Sequence, residues 1–453
     1  MISPFAGAIA AIEGYLLNPA VFDMPFGVHF QQWVTIAFIA GVLFHLRHQE
    51  LPVGRERLLI VSFWLFLAYA ALISLFAEVS TEIAFNKLYE VFKTVIVATF
   101  LVRAIRSTPQ MRIFLLACVI GILHGSLLHI LGERFGYIHP SNTLGVGVFP
   151  DNQRPVIVLF VPLLFVISAV GERKFDRILA FCTLPFALDS IVNTHERTGF
   201  VSLSVMVVLL LVLGGNKIRM RMAPVVAVAL VLIVFRFTTT EYWSWVSTVA
   251  APTQEASAMS RLEINRASMR MLIDHPLGIG YRNYAYFSHF YLDSKWLLDG
   301  ARAAHNSFFS IACETGVPGF FFWGFAFVGA IYYLRKTRKG SPAGSPLAHY
   351  ALALEIGLYG WLVGGWAQND HEVDPAYWFV ALSIILIRLH RQEIAAVAAG
   401  VVETVKSAPV ILLPPSRRFQ PAMPGRVATS MQRPGTAAVT TISTGRPRVD
   451  NAR

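Results

Sequence analysis

Charge is what this chain has least of. Only 14% of its 453 residues are Asp, Glu, Lys or Arg, against 55% hydrophobic, and the mean hydropathy is +0.55. That composition excludes a soluble domain of this size and leaves a polytopic membrane protein. Cysteine is nearly absent. Cys118, Cys182 and Cys313 each lie in or beside an apolar run, and no pair stands in the outer loop, which excludes a disulfide framework there. No Lys or Arg precedes the first apolar stretch, as a signal peptide requires, so residues 1–22 read as a retained first span. The formal net charge of +11 is not a nucleic-acid signature, because inner loops and a basic tail hold most of it. No short internal repeat is visible.

What is present is a series of apolar runs close to the roughly 17–25 residues that cross a bilayer. They cover 33–46, 58–76, 89–101, 113–131, 155–170, 178–192, 200–213, 223–237, 320–334, 350–366 and 376–387. With the first span they give an all-α membrane protein of about eleven to twelve helices. Basic residues cluster in alternate loops: Arg47, Arg55 and Arg57; Arg103, Arg106 and Arg112; Arg173, Lys174 and Arg177; Lys217, Arg219 and Arg221; Arg335 to Lys339. The positive-inside rule makes these cytoplasmic and puts the long 238–304 segment outside. Four regions follow: N-terminal spans (1–237), a large outer loop with amphipathic helices (238–318), C-terminal spans (319–391) and a basic, Pro-rich tail (392–453) expected to be disordered and cytoplasmic.

Within the outer loop, residues 259–274 read as an amphipathic helix, with Leu262, Met269, Leu272 and Ile273 near one face and Glu263, Arg266 and Arg270 at helical neighbour spacing. His275-Pro276 ends it and Gly278-Ile279-Gly280 turns the chain out. The aromatic run from Tyr281 to Trp296 reads as an interfacial belt or as a floor for sugar rings. Several outer basic residues break the inside bias. Arg134, Arg154, Arg197 and Lys87 suit a phosphate site, where a guanidinium fork grips an oxyanion, or else snorkel as anchors, a role better suited to Lys87 and Arg134. Arg197 stands in a polar hairpin, His195-Glu196-Arg197-Thr198-Gly199. His305 precedes a short helix starting at Asn306 and breaking at Gly316-Val317-Pro318-Gly319, and ionisable groups at that depth are functional suspects. Glu314, just before the break, either ties it down or orients an outer arginine.

The run Ser260-Arg261-Leu262-Glu263, then Asp274-His275-Pro276-Leu277-Gly278-Ile279-Gly280, then His305-Asn306-Ser307 and Glu314-Thr315-Gly316-Val317-Pro318-Gly319, preceded by Arg197-Thr198-Gly199, resembles the O-antigen ligase and O-antigen polymerase superfamily. The resemblance covers about 154–389 and leaves the basic tail outside. It implies a metal-independent, inverting glycosyltransferase of the bacterial inner membrane, with its site facing the periplasm and no cofactor. The donor would be an undecaprenyl-diphosphate-linked oligosaccharide, and the acceptor another glycan or a lipid A core sugar. Membrane lipids and other polysaccharide-assembly proteins are the implied partners, and nucleic acid is not. Carried over by residue, Arg197 and Arg261 would hold the diphosphate and His305 would act on the reacting hydroxyl or leaving group; Arg154, Arg266, Glu314 and Lys87 would complete the substrate site. Polymerisation is the preferred reading, ligation to lipid A core the alternative. Two rivals stand beside it. A transporter of lipid-linked sugars would show paired interrupted helices in two halves. The acidic segment Gln368-Asn369-Asp370-His371-Glu372-Val373-Asp374 offers divalent-metal ligand chemistry, or is an ordinary acidic outer loop.

Overall fold

In a bilayer each amide must find its partner within its own segment, so long apolar runs become helices. The computed structural model describes residues 3–17, 30–45, 54–135, 153–193, 197–224, 256–342 and 344–407. Among them the chain is all-α, with one isolated two-residue bridge, Leu298 to Ala301, in place of any strand. The longer helices are α1 (Pro4–Leu16), α2 (Phe30–Phe44), α3 (Arg57–Ser74), α4 (Thr81–Ala104), α5 (Thr108–Phe135), α6 (Gln153–Val170), α7 (Lys174–Asn193), α8 (Arg197–Leu213), α9 (Ala256–Asp274), α10 (Ser307–Gly340), α11 (Pro346–Gly365) and α12 (Asp374–Ser407). By length and composition Arg57–Ser74, Thr108–Leu131, Ser307–Gly340 and Pro346–Gly365 are able to cross a membrane, and Pro4–Leu16, Gln32–Phe44, Pro155–Val170 and Thr198–Leu213 are shorter apolar helices. This is a multi-pass membrane protein. Most of the expected span at 223–237, the first part of the outer loop and the tail beyond 407 lie outside the described residues.

Helix ends follow local chemistry. The Ser80 hydroxyl accepts the Ile83 N–H at 3.2 Å to open α4, and Arg103 occupies its last turn, at the negative end of the helix dipole. Pro346 opens α11, where its missing N–H costs nothing. At the other extreme, α12 runs on to Ser407, past the boundary expected at 391. Residues 392–407 are rich in Ala, Glu and Val and meet no proline before Pro409, so nothing local stops the helix.

Packing builds one main core, with two small clusters around α9. α10 lies against α3 and α11, α11 against α6 and α8, and α7 against α5 and α6. Where α10, α11, α12 and α3 meet, Trp323, Phe327, Trp361, Tyr377 and Phe63 interlock, with the Phe327 and Trp361 rings 4.8 Å apart at their centroids and Phe63 and Tyr377 equally close.

The two ends of the bundle differ in chemistry. At the end carrying the basic loops, three buried carboxylates are gripped by arginine forks: Asp176 by Arg112 (Nε to Oδ2, 2.6 Å), Glu355 by Arg338 (2.7 Å) and Glu56 by Arg391 (Nη2 to Oε2, 3.0 Å). Each fork binds two oxygens, a geometry that satisfies a buried charge pair. Arg388 in addition donates to the Val102 and Ile105 carbonyls that close α4. The candidate residues gather at the opposite end.

Candidate active site

Among the described residues, the segment ahead of α10 begins with α9. Its buried stripe is Ser260, Ile264, Ala267, Ser268 and Met271, not the Leu262, Met269 and Ile273 face that periodicity suggests; those three are exposed. Small residues decide this. Ser268 lets α9 approach α10 closely enough for the Cys313 thiol to reach the Ser268 carbonyl at 3.2 Å, and the Ser268 hydroxyl bonds the Tyr284 hydroxyl at 2.6 Å.

Beyond α9, the Pro276 to Gly280 strip repairs the broken helix α10. Gly316 takes φ 65°, ψ −176°, a conformation open essentially to glycine alone. The carbonyls and the amide freed by this break are then met across the gap: the Cys313 carbonyl accepts from Ile279 N–H at 3.1 Å, the Glu314 carbonyl from Gly280 N–H at 3.0 Å, and Val317 N–H donates to the Pro276 carbonyl at 2.9 Å. Contact is so close that a Cβ at Gly316 would lie 2.3 Å from the Leu277 carbonyl carbon, and one at Gly278 2.6 Å from the Glu314 oxygen. The HPLGIG and ETGVPG motifs are therefore two halves of one joint. Asn283 ties it to the α3–α4 connection by accepting the Val79 and Ser80 N–H groups at 3.0 and 2.7 Å.

His305 sits at the head of α10 with φ 47°, a left-handed conformation uncommon outside glycine, and Asn306 caps the helix by accepting from Phe308 and Phe309. Arg302 lies beside it on the same loop. The Arg302 N–H is pinned by the Ala285 carbonyl (3.1 Å) and the Ser288 hydroxyl (2.9 Å), and its Nη2 donates to Ser260 Oγ at 3.3 Å, next to Arg261 on α9. Its buried Nε meets no acceptor among the described residues. Burial foremost, then Arg302 and Arg261, hold the His305 imidazole below its ordinary pKa, while a hydrogen bond with the Gln368 side chain opposes them. The ring is consequently a neutral imidazole flanked by two guanidiniums.

The acidic loop after α11 turns out to be the template for this segment. Gln368 O accepts from Ser307 N–H (3.0 Å) and Ser307 Oγ (2.8 Å), Asp370 N–H donates to Ser307 Oγ (2.7 Å), and Asn369 Oδ1 accepts from Asn306 N–H (3.2 Å) and Ser310 Oγ (3.1 Å). Its carboxylates are engaged apart from one another. Glu372 pairs with Arg282 at 3.0 Å, and Asp374 accepts from Thr94 at 2.5 Å.

The expected site residues therefore divide. Arg261 and His305 come together, and Arg302, which no motif singled out, joins them; an Arg three residues before the histidine was the available signal. Glu314 belongs to a neighbouring buried network with Arg282 and Glu372, and its Oε2 has no hydrogen-bond partner among the described residues. Lys87, exposed on α4, acts on that network through Glu372, whose pKa burial raises against the pull of Arg282 and Lys87. Arg266 is bound to Glu263 at 2.6 Å on the exposed side of α9, about 140° round the helix from Arg261 at 100° per residue. It does not join the cluster, because five residues of helix turn it away. Arg154 and Arg197 lie near the starts of α6 and α8, but their side chains, with those of Arg134 and all of His195 and Glu196, are outside the described residues.

An apolar groove of about 640 Å³ runs along α8 and α11 and reaches Phe308, three residues beyond His305. Thr198, Phe308, Trp366 and Ala367 line it at the site end, Val201, Val205 and Leu209 follow along α8, and Leu213 and Arg338 close it at the far end.

No curated protein matches the chain. Residues 178–324, the stretch that contains Arg197, Arg261, Arg302, His305 and both halves of the joint, match the family model described as O-antigen ligase, which bears out the resemblance carried by those motifs.

Proposed function

We propose that this protein transfers a glycan from an undecaprenyl-diphosphate carrier to a sugar hydroxyl at the periplasmic face of the inner membrane. The family match supports an O-antigen ligase or polymerase type of function in general terms. The observation that carries the specific reading is the convergence of Arg261 and Arg302 on a neutral His305, three residues before Phe308 in the wall of an apolar groove. In this scheme the groove holds the polyprenyl tail, and Arg197, Arg261 and Arg302 hold the diphosphate. His305 takes the proton of the acceptor hydroxyl as that oxygen attacks the anomeric carbon from the side opposite the diphosphate. The bond from that carbon to the diphosphate oxygen breaks, configuration inverts, and undecaprenyl diphosphate leaves with its new negative charge held by preorganised guanidiniums. Fixed cations in a water-poor site do the work of a metal ion, so transfer by purified protein should survive EDTA.

Purified variants test the assignment. Arg197→Lys and Arg261→Lys keep a charge but lose the planar fork, so both carrier-diphosphate binding and transfer should fall. His305→Ala should spare binding and reduce single-turnover transfer by roughly 10²–10⁴. Near-normal turnover in His305→Ala would sink the general-base role. Polymerisation of a surface or exopolysaccharide repeat is the reading adopted, and glycans of a deletion strain separate it from ligation: single repeats on lipid A mark a lost polymerase, long chains stranded on the carrier a lost ligase.

A further inference from the structure

The side of α9 turned away from the core is apolar. Leu262, Met269 and Ile273 fall within about 40° of one another at 100° per residue, and all three are exposed. Arg266 and Arg270 follow on one flank of this strip, with Glu263 and Asp274 beyond them. The strip does not stop with the helix. Phe290 lines the same small cleft as Ile273 and Arg270, and Leu277 continues onto the joint with α10, where its carbonyl accepts from the Tyr69 hydroxyl at 2.9 Å. Tyr69 stands in the last two turns of α3, so Leu277 is held beside a membrane span. Across the joint Val317 is exposed, and from it Phe321, Phe325, Val328 and Tyr332 run along one side of α10, a helix long and apolar enough to cross a bilayer. Ile273, Leu277 and Phe290 are 69%, 61% and 67% exposed, as open as Val317 and Phe321 at 56% and 62%. Contiguous apolar patches mark interaction surfaces, and this one continues a surface that meets acyl chains.

We propose that α9 is an interfacial helix, with Leu262, Met269, Ile273 and Phe290 sunk into the phospholipid layer at the candidate-site end and Arg266 and Arg270 level with the headgroup phosphates. Arginine suits that depth, because its stem covers apolar surface while its guanidinium reaches a phosphate oxygen. Arg270 stands at the cleft between Ile273 and Phe290, its Nη2 held on the Tyr291 carbonyl at 3.0 Å. The placement stands on the membrane fold and not on the reaction; in the proposed scheme it sets Arg261 at the depth of a lipid-linked diphosphate. Full-length protein with Cys118, Cys182 and Cys313 replaced, in phospholipid nanodiscs, takes a nitroxide at Met269→Cys, Ile273→Cys, Phe321→Cys or Lys339→Cys, the last in the final turn of α10. Collisions with oxygen, which concentrates among acyl chains, should exceed those with a water-soluble nickel chelate severalfold at 269 and 273, as at 321, with the order reversed at 339. Nickel access at 273 equal to that at 339 overturns the proposal. So does shielding from both reagents, which marks cover by another segment of the chain or by a second copy, the latter with dipolar broadening that unlabelled protein dilutes away. Wild-type protein gives a second reading that no substitution disturbs. A phospholipid with a diazirine in its upper acyl chain should, on irradiation, modify residues 262–277 and 286–290 as it does 321–332; modification of the last stretch alone overturns the proposal.

Discussion

Two residues at the candidate-site end carry the sharpest consequences for pH. Buried His371, with neither ring nitrogen hydrogen-bonded among the described residues and Glu372 Oε1 3.9 Å from its Nε2, is pushed down to about 3 by desolvation and then by Arg282. The unfolded chain therefore binds a proton that the native protein refuses between about pH 6.5 and that value, and stability falls as pH drops through this window, by at most about 1.4 kcal/mol per pH unit. Melting in detergent should show this slope, and His371→Leu should flatten it by one proton's worth. Arg302 acts on the His305 imidazole instead. Removing its charge in Arg302→Gln should raise the His305 pKa towards its ordinary value and move the acid limb of the transfer profile to higher pH, with a rate loss of roughly 10²–10³ if the guanidinium also holds the leaving diphosphate. An unmoved acid limb would take Arg302 out of the site.

At the scale of elements, the joint between the Pro276 to Gly280 strip and broken α10 decides what the outer segment tolerates. Gly316→Ala places a Cβ against the Leu277 backbone at a φ that alanine resists, and should cost about 2 kcal/mol or more along with glycan display. Gly324→Ala, on the same helix with open space before it, should leave melting unchanged or raise it slightly. Equal effects from the two would remove the joint as the reason for the Gly-rich motifs. The break itself was legible in the sequence, because Gly-Val-Pro-Gly cannot continue a helix and Asn306 is a strong cap. The face that α9 buries was not. Periodicity weighs hydrophobicity, whereas close approach to α10 selected Ser260, Ala267 and Ser268 for their size. Likewise the Gln368 loop looked acidic because composition cannot tell which side chains a tertiary contact will use; backbone groups and amides make its bonds to the His305 segment.

For the whole molecule, the alternation of basic loops predicts Ser294 outside and Ser341 inside. In a background with Cys118, Cys182 and Cys313 replaced, an impermeant maleimide added to intact cells should label Ser294→Cys and spare Ser341→Cys; the reverse would invert the orientation and dismiss the periplasmic site. The same polarity fits the arginine-clamped carboxylates at one end and the guanidiniums beside His305 at the other. The Gly316 joint also governs how such proteins can be recombined. Because the carbonyls opened inside a membrane helix are bonded by amides of the outer loop, that loop is part of the span's own hydrogen-bond ladder. Grafting a relative's loop between α9 and α10 without the first half of α10 would leave polar backbone facing lipid, and the hybrid should misfold. Exchanging residues 256–324 as a block carries both sides of the break together, so the loop can be transplanted only in that unit.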